Sequence, residues 1–403
     1  MEKHIAVIEI SNTEVRLLIG DVVNDKPVIS YRAERSISGL ISRGEIIDFA
    51  TLTEIISSLT TIVDKASNKS YRVMDATIII PPSGLLVYQG DKTTNVVSTS
   101  SIIERLDIQN VLSLVQKEPI PGGNQIVDIV PDMFVIEGGR KSLNPPLGEK
   151  SNFLTIKSKV YTLPTHVIEE YKKAIESANV RAKRIFITPY SLIELVKQSK
   201  EFPKDYFLVD MGAQTSSISL VGNHSLYSSI SFTLGGDDLI KYVKDELQIS
   251  YDDAKEIIEL YGINERALSY RPTIVSTIVD GLETEYSPDD LNNVIVDFFD
   301  NFYFKQFDVA LTTIVNEYPR ESLRNLPIIF TGGLSKLHGF DRLAKEKFVS
   351  NQSLHYLQPE AVGARDASYS ALVGALIASS KYKGSLSDQK ARVAQVERVD
   401  ESE

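Results

Sequence analysis

The fold is decided by a stretch near the start of the chain, Ile5-Ala-Val-Ile-Glu-Ile-Ser-Asn-Thr-Glu-Val-Arg-Leu-Leu-Ile-Gly20. Its two halves are apolar, and the polar segment Ser11–Glu14 separates them. This arrangement predicts a β-hairpin with strands over Ile5–Ile10 and Val15–Val22, joined by a polar loop. One acid, Glu9, stands at the end of the first strand.

The same pattern returns about two hundred residues later. The apolar run Tyr206–Asp210 also ends in an acid, and the loop Met211–Thr215 connects it to a second run, Ser216–Val221. Superposing the hairpins aligns Glu9 with Asp210, Ser11 with Gly212, and Leu17 with Ile218. Such internal similarity predicts two homologous lobes, each opening with a strand, a polar loop and a strand.

The composition restricts the classes of protein to consider. A chain of 403 residues is long enough for two domains with separate cores. The net charge of −11 provides no basic face for nucleic acid and disfavours anionic lipid. With no cysteine, disulfides, thiolate nucleophiles and cysteine zinc sites are excluded. The five scattered histidines do not suggest a histidine-rich metal site.

The start of the chain moves directly into an apolar strand, so we expect no signal peptide. No apolar run approaches the ~20 residues needed to span a bilayer. The expected compartment is the cytoplasm.

Between the hairpins, helical and strand periods alternate, which predicts an α/β protein. Helical spacing covers Leu52–Ala66, Ile102–Val115, Val167–Ala178, Asp237–Tyr261 and Pro288–Glu317, and strand patterns cover Ala76–Ile80, Gln125–Ile136, Phe153–Tyr161 and Arg184–Thr188. We expect a first-lobe core from 1–82, 164–190 and 361–381, an inserted subdomain at 83–163, a second-lobe core from 191–232 and 322–360, a second-lobe subdomain at 233–321, and a disordered tail at 382–403.

Four loops with glycine or hydroxyl residues follow apolar strands in order: Ser11–Thr13, Gly212–Thr215, Gly235-Gly236 and Gly332-Gly333. A lone pair of glycines is more often a simple turn, so the order of the four carries the signal. Loops of this kind present backbone N–H groups to phosphate oxygens. The strand broken by the last glycine pair is also a favourable surface for the flat face of an adenine.

The acids Glu9 and Asp210 would point at the same place if the two hairpins faced each other across a cleft. A hard cation such as Mg²⁺ prefers oxygen ligands of this kind. Either acid alone is explained by a strand end, but the matched pair favours a cation site. Asp237 and Asp238 stand at the start of a predicted helix, where capping of the helix N-terminus is a sufficient explanation for Asp237.

Because of these four loops and their order, the chain resembles the actin/Hsp70/sugar-kinase superfamily and, within it, the bacterial cell-division protein FtsA. The motifs that carry the resemblance are Ala6–Gly20, Gly39–Asp48, Val209–Thr215, Gly235-Gly236 with Ile249–Ala254 and Tyr261-Gly262, Thr331–Gly339, and Ala367–Gly374. The most discriminating parts are the Gly39–Asp48 stretch and the insertion at 83–163, because FtsA inserts its extra subdomain at this point whereas actin and MreB carry theirs elsewhere.

The resemblance implies a two-lobed, actin-like (ribonuclease H-like) ATPase fold with an FtsA-type subdomain inserted in the first lobe. It implies a scaffold that binds ATP and Mg²⁺ between the lobes, with weak or absent ATPase activity, and polymerises. Its partners would be the C-terminal tail of FtsZ, bound by the second-lobe subdomain, and later septal proteins. Its place would be the inner face of the cell membrane at the division site.

The residues expected to contact the nucleotide are Ser11, Asn12, Thr13, Arg16, Gly212, Ala213, Gln214, Thr215, Gly235, Gly236, Lys255, Gly332, Gly333 and Leu334, with Glu9 and Asp210 at the metal. We identify no catalytic base, because the polar candidates of the second loop, Gln214 and Thr215, are equally explained as phosphate contacts.

The chain departs from the FtsA pattern in four places. In the first hairpin, Glu9-Ile10-Ser11 replaces the Asp-Ile-Gly of the family. In the helix that flanks the nucleoside, Lys255 replaces a family Glu and Ile258 replaces a family Lys. Phe298 replaces an Arg in the helix that contacts FtsZ, and its helical stripe with Leu291 and Ile295 favours core packing. The acidic C-terminus does not predict the amphipathic membrane helix of the family.

Two alternatives remain open. A PilM-like pilus-assembly adaptor shares the inserted layout and would bind an extended peptide. A sugar-kinase-type phosphotransferase shares the superfamily fold but needs a catalytic acid that we do not find.

Overall fold

A computed structural model describes residues 4–381 except 43, 65–68, 121, 264–271, 319–322, 324 and 349–352. In chain order its elements are β1 (Ile5–Ile10), β2 (Glu14–Val23), β3 (Lys26–Ser36), β4 (Ile41–Ser42), β5 (Glu45–Ile46), α1 (Phe49–Leu59), β6 (Thr61–Asp64), β7 (Lys69–Arg72), β8 (Asp75–Ile80), β9 (Leu86–Asn95), α2 (Arg105–Gln116), β10 (Asn124–Ile136), β11 (Arg140–Ser142), β12 (Phe153–Pro164), α3 (Thr165–Ser177), β13 (Arg181–Ile187), α4 (Thr188–Val196), β14 (Tyr206–Met211), β15 (Ser216–Gly222), β16 (Ser225–Phe232), α5 (Gly236–Leu247), α6 (Tyr251–Tyr261), β17 (Val275–Val279), β18 (Leu282–Tyr286), α7 (Pro288–Phe298), α8 (Phe304–Glu317), β19 (Ile328–Thr331), α9 (Phe340–Lys347), β20 (Leu354–Tyr356) and α10 (Ser370–Lys381).

Two five-stranded sheets with the same topology form the two lobes. The first sheet has the order β13-β8-β1-β2-β3 and the second the order β16-β15-β14-β19-β20. In the first sheet, β1 pairs antiparallel with β2 on one side and parallel with β8 on the other. In the second sheet, β14 pairs in the same way with β15 and β19. Glu9 faces Arg16 and Asp210 faces Ser217 across the two hairpins, so the predicted alignment of Glu9 with Asp210 and the two-lobed fold are confirmed.

Two helices, α4 and α10, lie between the sheets. Buried residues of α10 and of the strands β1 and β14 belong to one continuous hydrophobic cluster. The helices cross very closely, because a Cβ added to Gly374 would lie 1.8 Å from the backbone oxygen of Ser191. Only glycine permits this approach, which holds both sheets against a common pair of helices.

The insertion between β8 and α3 forms its own sheet, with the order β11-β10-β12-β9, and α2 packs on it. It also contacts β16 of the second lobe. Ser225 Oγ donates a hydrogen bond to Asp132 Oδ1 at 2.5 Å, and Lys159 Nζ lies 3.9 Å from the centre of the Tyr227 ring. The inserted subdomain therefore touches both lobes.

The segment between β16 and β19 carries helices α5 to α8 and the hairpin β17–β18. The sequence patterns predicted its helices but not this hairpin. Its signal was the pair Asp280-Gly281, whose φ values of 51° and 80° are those of a tight hairpin turn.

Phe298 is 2 % exposed and its ring contacts the rings of Tyr242 and Phe299, so the core packing expected for Phe298 is confirmed.

The helix expected over Leu52–Ala66 ends earlier. Helix α1 stops at Leu59, and the next residues form β6, paired with β7. The reason is local: Thr60, Thr61, Ile62 and Val63 are all β-branched, which favours an extended chain over a helix.

Within the part of the chain that the structure describes, no helix is both long and apolar enough to cross a membrane. The tail expected to be disordered, 382–403, lies outside the described residues.

Replacing Gly374 with Ala should destabilise the protein by about 3 kcal/mol or more, because the new methyl group forces α4 and α10 apart. Urea denaturation measures the loss. Gly122→Ala is the control, since its added Cβ meets nothing within 4 Å, and it should change stability by less than about 0.5 kcal/mol. Equal stability of the two variants would contradict the close crossing.

Candidate functional site: the cleft between the lobes

A cleft of about 840 Å³ opens between the two hairpin turns. It is lined by thirteen of the sixteen predicted site residues: Glu9, Ser11, Asn12, Thr13, Arg16, Asp210, Gly212, Ala213, Thr215, Gly236, Gly332, Gly333 and Leu334. The turns after Glu9 and Asp210 thus face one shared space, as the sequence repeat predicted. Binding of a nucleotide by these turns remains a prediction.

The other three predicted residues lie beside the cleft rather than in its lining. Lys255 is exposed on α6 and lies 4.0 Å from Glu259. The side-chain amide of Gln214 donates to Asp237 Oδ2 at 3.4 Å. Gly235 is the N-cap of α5, and a Cβ there would meet Ala213 O at 2.4 Å, so Gly235 is needed for close packing of two loops.

The loop of the first lobe is held by its own side chains. Ser11 Oγ accepts hydrogen bonds from the N–H groups of Thr13 and Glu14, at 3.4 and 3.1 Å. Asn12 Oδ1 accepts a hydrogen bond from Gly44 N at 3.0 Å and so ties this loop to Gly44. The serine at the family glycine position therefore occupies two N–H groups that would otherwise be available to an anion.

The second lobe keeps its backbone open toward the cleft. A Cβ added to Gly236 or Gly333 would meet nothing within 4 Å. Gly332 has φ +91°, and a Cβ there would lie 2.6 Å from Asp210 Oδ1. Glycine is therefore required beside this carboxylate, and the backbone of this lobe can approach a ligand closely.

Arg16 lies in the cleft among three carboxylates. Its Nη1 donates to Glu9 Oε2 at 3.4 Å, and its Nη2 contacts the carboxylate of Glu14. Its Nε lies 3.9 Å from Glu34 Oε2. The three carboxylates and the guanidinium come from adjacent strands of one sheet, since Arg16 pairs in register with both Glu9 and Glu34.

The acids Glu9 and Asp210 are close enough to influence one another. Burial, together with the nearby Glu9 carboxylate, raises the pKa of Asp210 to about 7, whereas the positive charge of Arg16 lowers it to a smaller extent. Burial also raises the pKa of Glu9, against the opposing effect of Arg16. Close to pH 7 the pair therefore carries less than two full negative charges.

A second group of cleft residues was not predicted from the sequence; its members lie on β3 and toward the C-terminal end of the described chain. The hydroxyl of Tyr369 donates to Glu34 Oε2 at 2.8 Å, and the Arg32 guanidinium lies 5.3 Å from the centre of the Tyr369 ring. Lys336 pairs with Asp366 at 2.9 Å. Arg32 and Glu34 could have been found from the strand period, which places them on the same face of β3.

Glu9 and Asp210 remain predicted ligands of Mg²⁺, which proteins usually hold through one or two carboxylates and water. Among the described residues, no three His, Asp or Glu side chains are grouped as metal ligands.

At the start of α5 the capping bond comes from Asp238, whose Oδ2 accepts from Gly235 N at 3.0 Å, and not from Asp237 as expected. Asp237 instead lines the cleft, where burial raises its pKa.

Asp210→Asn should become more stable relative to the parent as pH rises. The folded state raises the pKa of Asp210 from 3.8 to about 7, so its protonated form favours folding below about pH 4 and this contribution is lost as pH approaches 7. Between about pH 5 and pH 8 the variant should gain on the order of 1 to 3 kcal/mol over the parent in urea denaturation.

Asp366→Asn is the matched control in the same cleft. Burial raises the pKa of Asp366, but hydrogen bonds from Ser368 and Lys336 outweigh it and lower the pKa to about 2. Because this carboxyl is ionised across the tested range in both states, its effect should not vary between those pH values. A parallel pH response of the two variants would refute the shift at Asp210.

Comparison with curated sequences finds relatives among the FtsA cell-division proteins, although no family model matches the chain. Cell division protein FtsA of Streptococcus pneumoniae serotype 2 (strain D39) is 22 % identical over 385 residues, covering 94 % of this chain and 80 % of the relative. FtsA of Enterococcus faecalis (strain V583) is 23 % identical over 89 % of this chain and 79 % of its own length. FtsA of Bacillus subtilis (strain 168) is 20 % identical over 91 % and 81 %.

Solved structures give the same fold at lower sequence identity. The PilM–PilN type IV pilus biogenesis complex matches with a TM-score of 0.61 at 14 % identity, covering 94 % of this chain and 99 % of that one. MreB 5 of Spiroplasma citri bound to AMPPNP matches with a TM-score of 0.52 at 10 % identity, over 99 % of both chains. The resemblance predicted from the sequence is therefore confirmed: the chain has an actin-like fold and is a divergent relative of the FtsA cell-division proteins.

Proposed function

We propose that the chain is an actin-like scaffold of the cell-division machinery that binds ATP between its lobes, polymerises, and links FtsZ to the membrane and to later septal proteins. The observation that carries this proposal is similarity to FtsA along about nine-tenths of the chain. The domain partition expected from the sequence is part of the proposal, with the second-lobe subdomain at 233–321 as the FtsZ-binding side.

The cleft supports nucleotide binding. Its volume falls within the range of small-molecule and cofactor sites. The open backbone at Gly236 and Gly333 leaves room where a Cβ would stand, and α5 begins at this place. A helix N-terminus with close backbone approach suits phosphate oxygens. We therefore assign the phosphates chiefly to the second-lobe loops, and the similarity to MreB 5 bound to AMPPNP is consistent with this.

We propose that ATP turnover is weak or absent. Hydrolysis needs a polar group positioned beside the attacking water. Of the two polar candidates in the second-lobe loop, Gln214 donates to Asp237 and lies outside the cleft lining, and Thr215, which lines the cleft, is equally explained as a phosphate contact. ATP would then act as a structural ligand that favours one arrangement of the lobes.

The FtsZ tail would dock on the second-lobe subdomain near α7 and α8. Phe298 is buried, but Phe302 at the junction of the two helices is 44 % exposed and stacks on Phe298. Val309 on α8 is also exposed. Phe302 thus offers an exposed apolar ring next to Phe298, the position where the family has an Arg.

A PilM-like adaptor is the second candidate, supported by the structural match to the PilM–PilN complex. The two candidates differ in the peptide that they bind. The first requires an FtsZ tail and the second an extended peptide from a pilus membrane protein.

Co-sedimentation separates these possibilities. The full chain is mixed with FtsZ, with lipid vesicles, or with both, in the presence and absence of ATP. We expect the chain to pellet with FtsZ polymers, and to form filaments visible by electron microscopy when ATP is added. Binding of a PilN-type peptide without retention by FtsZ would favour the second candidate and overturn the first.

A pair of phenylalanine variants tests the docking face. Phe298→Ala removes a buried ring and should cost about 3–5 kcal/mol of stability in urea denaturation. Phe302→Ala should cost less than about 1 kcal/mol and yet weaken binding of a labelled FtsZ tail peptide, measured by fluorescence anisotropy. Unchanged peptide affinity of the Phe302 variant would exclude this face as the docking site.

A further inference from the structure

The further inference concerns communication between the cleft and the peptide-docking face, and it rests on the proposed function of both sites. The two sites meet at the junction of α7 and α8. A single π-helical turn, Phe299–Tyr303, joins these helices, and the N–H of Phe304 donates to the carbonyl oxygen of Phe299, five residues earlier. Such wide turns are rare and occur frequently at functional sites.

The sequence explains why the turn is wide. A pair of buried aromatic residues, Phe298-Phe299, recurs five residues later as Tyr303-Phe304, and all four side chains are at most 2 % exposed. In an α-helix five residues advance by about 1.4 turns, so the two pairs could not both face the same core. The π-helical spacing of five residues brings both pairs inward. Aromatic packing therefore maintains this turn.

The inner side of the turn reaches the cleft. The hydroxyl of the buried Tyr303 donates a hydrogen bond at 2.9 Å to Ser216 Oγ, and Ser216 lines the cleft. Ser216 Oγ in turn donates to the carbonyl oxygen of Leu234 at 2.8 Å. Ser216 directly follows the loop Gly212–Thr215. Leu234 directly precedes Gly235, so the Tyr303 hydroxyl is bonded to the residue that joins the two proposed phosphate loops.

The outer side of the same turn carries the proposed docking ring. Phe302, the chain neighbour of Tyr303, is 44 % exposed. The ring of Phe298 contacts both, with its centre 6.3 Å from that of the Phe302 ring and 6.5 Å from that of the Tyr303 ring. Because closely packed interiors transmit strain, a displacement of Tyr303 changes the position of the exposed ring.

Helix α5 gives the docking ring a second connection with the cleft. This helix begins at Gly236, where the phosphates are proposed to bind. The ring centre of Tyr242, on the same helix, lies 5.2 Å from that of Phe302. The Tyr242 hydroxyl donates to Asp297 Oδ2 of α7 at 2.5 Å. The exposed ring thus packs on a helix that starts in the cleft and belongs to a turn that is bonded to the cleft.

We propose that Tyr303 couples the two sites, so that ATP in the cleft tightens binding of the FtsZ tail peptide at Phe302. Phosphates bound by the second-lobe loops hold Ser216 and Gly236 in one arrangement, and the π-helical turn and α5 are fixed with them. The peptide then meets a docking face that is already ordered, so its binding costs less entropy. Because coupling between two ligands is reciprocal, the peptide must tighten ATP binding by the same factor.

The test measures binding of a labelled FtsZ tail peptide to the full chain by fluorescence anisotropy in a buffer that contains Mg²⁺, once without nucleotide and once with saturating ATP. The ratio of the two dissociation constants is the coupling factor. For the parent chain we expect a coupling factor of at least about five, the lower end of typical allosteric coupling. Calorimetric titration of ATP with and without the peptide should give the same factor.

Tyr303→Phe identifies the residue responsible, because it keeps the buried ring and removes only the hydroxyl that is bonded to Ser216. Its coupling factor should fall below about two, while each ligand alone still binds. Tyr318→Phe is the matched control in the same lobe. The Tyr318 hydroxyl also donates one bond at 2.9 Å, but to the carbonyl oxygen of Tyr227, which does not line the cleft. This variant should lose similar stability in urea denaturation and keep the full coupling factor.

Ser216→Ala removes the same bond from its other side and replaces Tyr303→Phe in the test if that variant does not fold. It should reduce the coupling factor to the same extent. The double variant should couple no more weakly than either single variant, because the two substitutions remove one shared bond.

Failure of the inference is distinguishable from failure of the proposed function. Binding of both ligands by the parent chain with a coupling factor near one overturns the inference and leaves both proposed sites intact. Equal coupling in the parent chain and in Tyr303→Phe overturns the role of Tyr303. Absence of ATP binding overturns the proposed nucleotide site, absence of peptide binding overturns the proposed docking face, and the inference falls with either.

Discussion

The crossing of α4 and α10 is the constraint on which the rest of the structure depends. At Gly374 the two helices approach so closely that a single methyl group would collide with the backbone of Ser191. Because both sheets pack on this pair of helices, the crossing determines where the two hairpin turns lie relative to each other. The cleft is a consequence of that placement.

The electrostatics of the cleft follow from burial. Two largely buried acids are brought together, and buried charges are stable only when a partner or a proton neutralises them. The first lobe uses Arg16 as the partner of Glu9, whereas Asp210 is left to take up a proton near pH 7. The lobes thus share a topology but differ in chemistry: the first has side-chain hydrogen bonds in its loop, and the second has open backbone.

Much of the fold could be predicted because it repeats. Two apolar hairpins with acids at matching positions indicated two lobes, and the order of the glycine loops indicated a shared cleft. The contacts of Ser11 and Arg16 could not be predicted, since they depend on which side chains the sheet register brings together. Lys255 was predicted from a motif position; the structure places it on the exposed face of α6, 4.0 Å from Glu259 and near enough to Asp237 of the cleft to favour that residue's ionised form. The end of α1 and the hairpin at Asp280-Gly281 did carry local signals, in β-branched residues and a turn dipeptide.

The inserted subdomain has a mechanical consequence. It is covalently part of the first lobe, yet it is tied to the second through the bond between Ser225 and Asp132 and through Lys159 over the ring of Tyr227. If one lobe rotated relative to the other, the inserted subdomain would therefore have to lose these two contacts or move together with the second lobe.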